Sequence, residues 1–198
     1  MDFEKSRIYN NINLDEEEEE TLNIQTLNNN IYFYEDIDKK TALKLRIELQ
    51  TLINKHNIIS VTNNCDKIPI NLYINSDGGE VGSALAIVDL ILKSPVPINT
   101  IIEGEACSSA TLISIVGHKR YITENSHMLI HQVSGGMWGK MAEVEDEIKN
   151  IKTFNNKLIK LYKKYTNLSE EKLNKFLKKD ISWSSKKCIK YGLVDEII

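Results

Sequence analysis

A layered α/β fold with parallel strands is what this sequence predicts, and three observations predict it. Short apolar runs alternate with stretches of helical periodicity from about residue 31 to the end. Glycine, proline and small polar residues punctuate nearly every junction between them. The 198 residues, 41% hydrophobic and 27% charged, have the composition of one soluble domain with a real core.

The elements follow in order. Residues 1–30 are polar and acidic, with a glutamate run over 16–20 and an Asn28-Asn29-Asn30 tract, and are expected to be a mobile arm. Residues 31–34 suit a short strand. Asp36 or Asp38 can cap a helix over 39–55, whose Ala42, Leu45, Leu49 and Leu52 make one apolar face. Residues 69–74 read as a buried strand ending at Asn75-Ser76-Asp77-Gly78-Gly79. A nearly all-apolar helix over 81–93 follows, stopped by Ser94-Pro95 and Pro97. Residues 98–102 make the next strand, 104–107 a turn, and Ser108 opens a second buried helix reaching 116. Short strands are expected over 121–122 and 128–130. A glycine loop then leads to a long amphipathic helix over 141–165. Ser169 caps one further helix, and Ser184 caps another that Gly192 ends. Residues 193–197 suit a last strand. Strand–helix alternation of this kind implies right-handed crossovers.

Charge and composition exclude several classes. Net charge is −3 with both signs dispersed, so no phosphate-binding surface and no nucleic-acid partner is expected. No stretch is long and apolar enough for a bilayer. The start of the chain has neither the basic-then-apolar order of a secretory signal nor the acid-poor composition of a transit peptide. The three cysteines, Cys65, Cys107 and Cys188, are far apart and odd in number, which reads as free thiols. A cytoplasmic location is therefore expected, with an organelle lumen or a virus-infected cytoplasm as variants. No metal-type spacing occurs, and no metal or cofactor is expected.

Chemistry enters through a joint pattern. Ser108 stands at the start of a helix, where unpaired amides and the helix dipole converge. Its neighbour Ser109 supplies one N–H, and Gly79, on another strand-to-helix turn, supplies a second. His131 closes the apolar run Met128-Leu129-Ile130, and Asp180 follows a later helix. Taken singly, each has a plain structural reading: a capping serine, a turn glycine, a packed histidine, a solvated aspartate. Together they supply a nucleophile, a base, an acid to orient the base and two donors for an oxyanion. His56, His118 and His127 read as surface or turn residues. Cys107, beside Ser108, is a rival nucleophile without better activation.

Four segments resemble the proteolytic subunit of the Clp protease, a self-compartmentalising serine peptidase. They are the glycine turn 73–79, the nucleophile turn 104–109, the histidine strand 125–132 and the closing strand 191–197. Asp180 falls where that family's triad aspartate falls. The resemblance covers residues 31–198, taken as the ClpP-like peptidase domain after the 1–30 arm. It implies a crotonase/ClpP-like α/β fold with a protruding handle helix. It implies peptide hydrolysis by Ser108, His131 and Asp180, with the amides of Gly79 and Ser109 as oxyanion hole. Substrate would lie extended between Gly78, Gly79, Glu80 and Val81 on one side and Ser134, Gly135 and Gly136 on the other. It further implies a homo-oligomer of stacked seven-membered rings, unfolded polypeptide as substrate, and an AAA+ unfoldase as partner. The chain departs from the family pattern at Asp77 and Val133, where proline is usual. It also departs at Ser109, where methionine is usual, and at Lys179, where arginine is usual.

Three other functions are weighed beside this one. A weakly active scaffold subunit would keep the fold and lose turnover. A phage-type maturation protease would keep the chemistry and change the substrate. A crotonase-type enzyme acting on acyl-CoA would share the two-amide hole, but such enzymes rely on acidic residues rather than this triad.

Overall fold

The computed structural model describes residues 23–198, so the expected arm lies outside the described residues as far as residue 22. Its remainder is folded. Strand β1 (Ile24–Leu27) turns at Asn28, whose φ is +58, into β2 (Asn30–Phe33), and the two pair antiparallel. Asparagine tolerates this left-handed conformation, so the polar tract that suggested a mobile arm includes the tip of a hairpin.

Helix α1 (Lys39–Asn63) starts at Asp38, whose carboxylate accepts from the Thr41 amide while Thr41 Oγ1 accepts from the Asp38 amide. The helix runs beyond the expected residue 55 and stops at Asn64, again left-handed. His56, expected at the surface, is buried, with Nδ1 2.8 Å from the carbonyl oxygen of Ile68. It anchors α1 to the entry of β3 (Ile70–Ser76). Then follow α2 (Val81–Lys93), β4 (Ile98–Cys107), α3 (Ser109–Ser114), β5 (Arg120–Ile122) and β6 (His127–Leu129). The chain closes with α4 (Met141–Tyr165), α5 (Glu170–Phe176), β7 (Trp183–Ser184), α6 (Ser185–Lys190) and β8 (Glu196–Ile197).

The sheet runs β1-β2-β3-β4-β5-β8, parallel from β2 to β8. Strand β4 changes neighbour half-way. Thr100–Ile102 pairs with β5, and Glu105–Cys107 pairs with β6, on which β7 lies antiparallel. The change occurs at a bulge. Ile74 faces Ile102, yet Ser76 already faces Ala106, so β4 carries extra residues around Gly104. Gly104 has φ +94, and a side chain there would collide with Asn75, whose Oδ1 accepts from the Glu105 amide. The expected turn at 104–107 is thus a continuation of β4.

The core follows from this layering. Ile31, Leu72, Ile74, Ile102 and Ile122 of the sheet are buried against α1, α2 and α3. Helix α4 behaves differently. Only Leu158 and Tyr162, near its C-terminal end, are buried, and the earlier turns project from the domain. At 1.5 Å per residue the helix is about 37 Å long. No helix among the described residues is long and apolar enough to cross a membrane.

Candidate active site

Two main-chain hydrogen bonds bring the distant site residues together. The Ser108 amide donates to the Leu129 carbonyl at 2.8 Å, which joins the nucleophile turn to β6 and its continuation to His131. The Gln132 amide donates to the Leu177 carbonyl at 2.7 Å, which joins the histidine segment to the end of α5, three residues before Asp180. Ser108, His131 and Asp180, expected to meet, do meet. His131 Nε2 lies 2.7 Å from Ser108 Oγ, and His131 Nδ1 lies 2.8 Å from Asp180 Oδ1. With Nδ1–H donating to the carboxylate, Nε2 is left to accept from the serine hydroxyl. His131 stands two residues past β6 rather than within it.

Ser108 has φ +53 and ψ −124, a conformation rarely held outside glycine, and it is the residue before α3. The sharp turn directs its hydroxyl into a cleft. Thr111 Oγ1 donates to the Ser108 carbonyl at 2.5 Å and is itself hydrogen-bonded to the hydroxyl of Tyr162. A buried polar chain from α4 therefore supports the turn, a contribution sequence patterning alone did not reveal. The strained turn at the nucleophile is thus braced from behind.

The two candidate oxyanion donors have the required freedom. Among the described residues, neither the Gly79 amide nor the Ser109 amide has an acceptor. Gly79 has φ +137, and a Cβ there would run into the Ile37 carbonyl. Gly78 has φ +98 and lies buried beneath the nucleophile. A Cβ on it would stand 2.6 Å from the Cys107 oxygen, 2.8 Å from Ser108 Cβ and 3.0 Å from the Ser109 nitrogen.

The cleft has a volume of about 560 Å³ and is lined by Ser108, His131, Asp180, Ser134 and Ser182, with Asp77 and Glu105 on its wall. Of the expected substrate-binding residues, Ser134 lines it, and Gly136 faces open space. Gly135 packs near Ile151 of α4. Glu80 is placed otherwise. Its amide is taken by the Ile37 carbonyl at 2.7 Å, and its side chain accepts from the Ser83 hydroxyl. Val81 begins α2. Gly78 uses both main-chain groups internally, its amide on Ser76 Oγ and its carbonyl on the Ile37 amide. On that turn the Gly79 amide has no acceptor among the described residues and stays open to an extended substrate.

Electrostatics separate the serine from its neighbour. Burial, then the hydrogen bond and charge of Glu105, push the Cys107 thiol up to about 12. The thiolate needed for attack is therefore scarce near neutral pH. Cys65, Cys107 and Cys188 are all free thiols. Glu105 itself accepts from His127 at 3.0 Å and from the Cys107 thiol at 3.4 Å. Neither Glu105 nor Thr111 was marked as part of the site by its sequence position. Glu105 and Cys107, two residues apart on β4, share one face of the strand, a signal hidden by reading Gly104 as a turn.

The chain is similar to known proteins. A family model described as Clp protease matches residues 16–198. An ATP-dependent Clp protease proteolytic subunit of Deinococcus radiodurans is 36% identical over 131 residues, 65% of this chain. That alignment spans 64% of the length of the curated relative. The structure of a ClpP1 point mutant from Listeria monocytogenes superposes with a TM-score of 0.74 at 26% identity, covering 86% of this chain and 91% of that one. The fold is therefore ClpP-like.

Proposed function

Because the chain belongs to the Clp protease family, we propose that it is a serine endopeptidase cleaving unfolded polypeptides, with Ser108 as nucleophile. The observation that carries this reading is the hydrogen-bonded relay Ser108–His131–Asp180 opening on two unbound amides. Ser108 Oγ attacks the scissile carbonyl while His131 Nε2 takes its proton. Asp180 holds the ring in the needed tautomer and stabilises the imidazolium. The Gly79 and Ser109 amides receive the developing oxyanion, a contribution of about 10²–10³ in turnover per donor. His131 then returns the proton to the departing amine, which leaves an ester on Ser108. Water, activated by the same imidazole, hydrolyses that ester. Each of these steps uses only groups of the chain, the substrate and water.

The compartment is part of the same proposal. Helix α4 exposes Met141, Ile148 and Phe154, and Met137 and Trp138 just before it are also exposed. A projecting helix with an uncovered apolar stripe suits face-to-face joining of two rings, which would enclose the clefts. An ATP-driven AAA+ unfoldase would supply the extended chain. Three free thiols suit a reducing, cytoplasmic setting.

The test is peptide hydrolysis together with labelling by a fluorophosphonate. The purified chain is expected to cleave peptides and to label at Ser108, and Ser108→Ala to lose both. Persistent labelling of that variant, at Cys107 for example, would overturn the assignment. Robust turnover by the isolated chain excludes the scaffold alternative. Copurification with capsid proteins rather than an ATPase would favour the maturation-protease alternative.

A further inference from the structure

The wall of the cleft beside Ser108 carries charge that the hydrolytic chemistry does not use. Asp77 lies at the end of β3 and Glu105 near the end of β4, and both line the same cavity as Ser108, His131 and Asp180. Polar atoms of Asp77, Glu105 and Cys107 lie within 4.8 Å of one another. A second, shallower recess continues from the same two carboxylates to Glu35 and Asp36. Lys44 pairs with Glu48 and Arg120 with Asp195, away from this wall. His127 reaches Glu105 and is charged only when protonated.

Resting on the peptidase reading above, we propose that Asp77 and Glu105 make the cleft select substrates with a lysine or arginine side chain near the bond that is cut. The warrant is the placement of two neighbouring carboxylates inside the reaction cleft itself. Held together, they repel each other, and Asp77 is raised above its ordinary value, first by the charge of Glu105, then by burial and by a hydrogen bond to Glu105. An ammonium or guanidinium entering between them relieves that repulsion and gains hydrogen bonds to charged acceptors. An acidic substrate side chain meets like charge there and is rejected. A neutral one gains nothing from the pair. The cleft thus discriminates by sign of charge, while the triad and the two amides act on any amide bond.

The experiment uses the full chain and a set of fluorogenic peptides identical except for Lys, Arg, Leu or Glu placed in turn at each position flanking the scissile bond. The wild-type protein is expected to favour Lys or Arg over Glu in kcat/KM at one position by about 10–100-fold. That preference is expected to shrink as salt rises from about 50 to about 500 mM, because screening weakens it. Asp77→Asn combined with Glu105→Gln is expected to reduce the Lys-to-Glu ratio severalfold, and Glu105→Lys to reverse it. Cleavage with no charge preference at any position, or a preference insensitive to salt, overturns this inference while leaving the peptidase reading intact. Absence of cleavage of every peptide, or equal cleavage by Ser108→Ala, overturns the peptidase reading and this inference with it. The salt series needs no variant, so misfolding of a mutant does not remove the test.

Discussion

Gly78 and Ser108 are so closely apposed that a methyl group on the glycine would stand 2.8 Å from the serine Cβ. The glycine turn is therefore the floor on which the nucleophile rests. Gly78→Ala must displace either the Ser108 turn or β3, and its φ of +98 adds strain of about 1–3 kcal/mol. We expect kcat/KM for a peptide substrate to fall at least tenfold, with a lowered thermal midpoint. Unchanged kinetics and unchanged melting would show that the turn relaxes freely.

Asp180 is largely exposed in the isolated chain, yet it accepts from His131. Asp180→Asn keeps the shape but can hold the ring in the wrong tautomer. Turnover is expected to drop by about 10²–10⁴. A progress-curve assay against an ester and an amide substrate checks this, since the amide needs protonation of its leaving group and should suffer more.

The thiols give a chemical test of burial. Cys107 and Cys188 are both pushed up to about 12, mainly by desolvation, from an ordinary value of 9.0. Near neutral pH a rise of about three units lowers the thiolate fraction about a thousandfold. Alkylation followed by peptide mass mapping should modify the exposed Cys65 in the folded protein and all three cysteines in urea. Rapid native modification of Cys107 would contradict the packing around Ser108.

Arg120 ties the C-terminal end of the chain to the sheet. Its guanidinium donates to both carboxylate oxygens of Asp195, and to the carbonyls of Tyr165 and Gly192. The hydrogen bond from Arg120, opposed by burial, holds Asp195 below its ordinary value of 3.8. A carboxyl with a depressed folded-state value stabilises above the unfolded value and loses that contribution as pH falls through the folded one. Asp195→Asn is therefore expected to cost about 1–2 kcal/mol at about pH 6, a figure kept small by the half-exposed carboxylate. Urea midpoints of variant and wild type should converge as pH is lowered from about 5 towards about 3.

Much of this was legible in the chain, for identifiable reasons. Helices α2 and α4 run over the expected 81–93 and 141–165 because a nearly all-apolar run is stopped by prolines in one case and a periodic apolar stripe follows a glycine loop in the other. Asp38 caps α1 by a local rule. What was missed depends on tertiary partners. Strand β1 is polar outside Ile24 and Leu27 and exists because β2 is already paired to β3. Strand β7 is two residues long and is defined only by β6. The bulge at Gly104 needs Asn75, far back in the chain, and so reads locally as a turn. His56 reads as polar surface until α1 is known to continue past it over Ile68. For the site, the resemblance pointed to three side chains. Their meeting rests on the Leu129 and Leu177 carbonyls, which no residue type announces.

The shared edge of β4 has a further consequence. Strands β5 and β6 both pair with it, one after the other, and among the described residues no ladder joins them to each other. The sheet is forked, with the C-terminal strand on one tine and the base-bearing segment on the other. Loosening the second tine disconnects the imidazole from the hydroxyl while leaving the first in place. Amide exchange should accordingly divide into two cooperative groups, so that hydrolysis can be interrupted by a local opening far less costly than global unfolding.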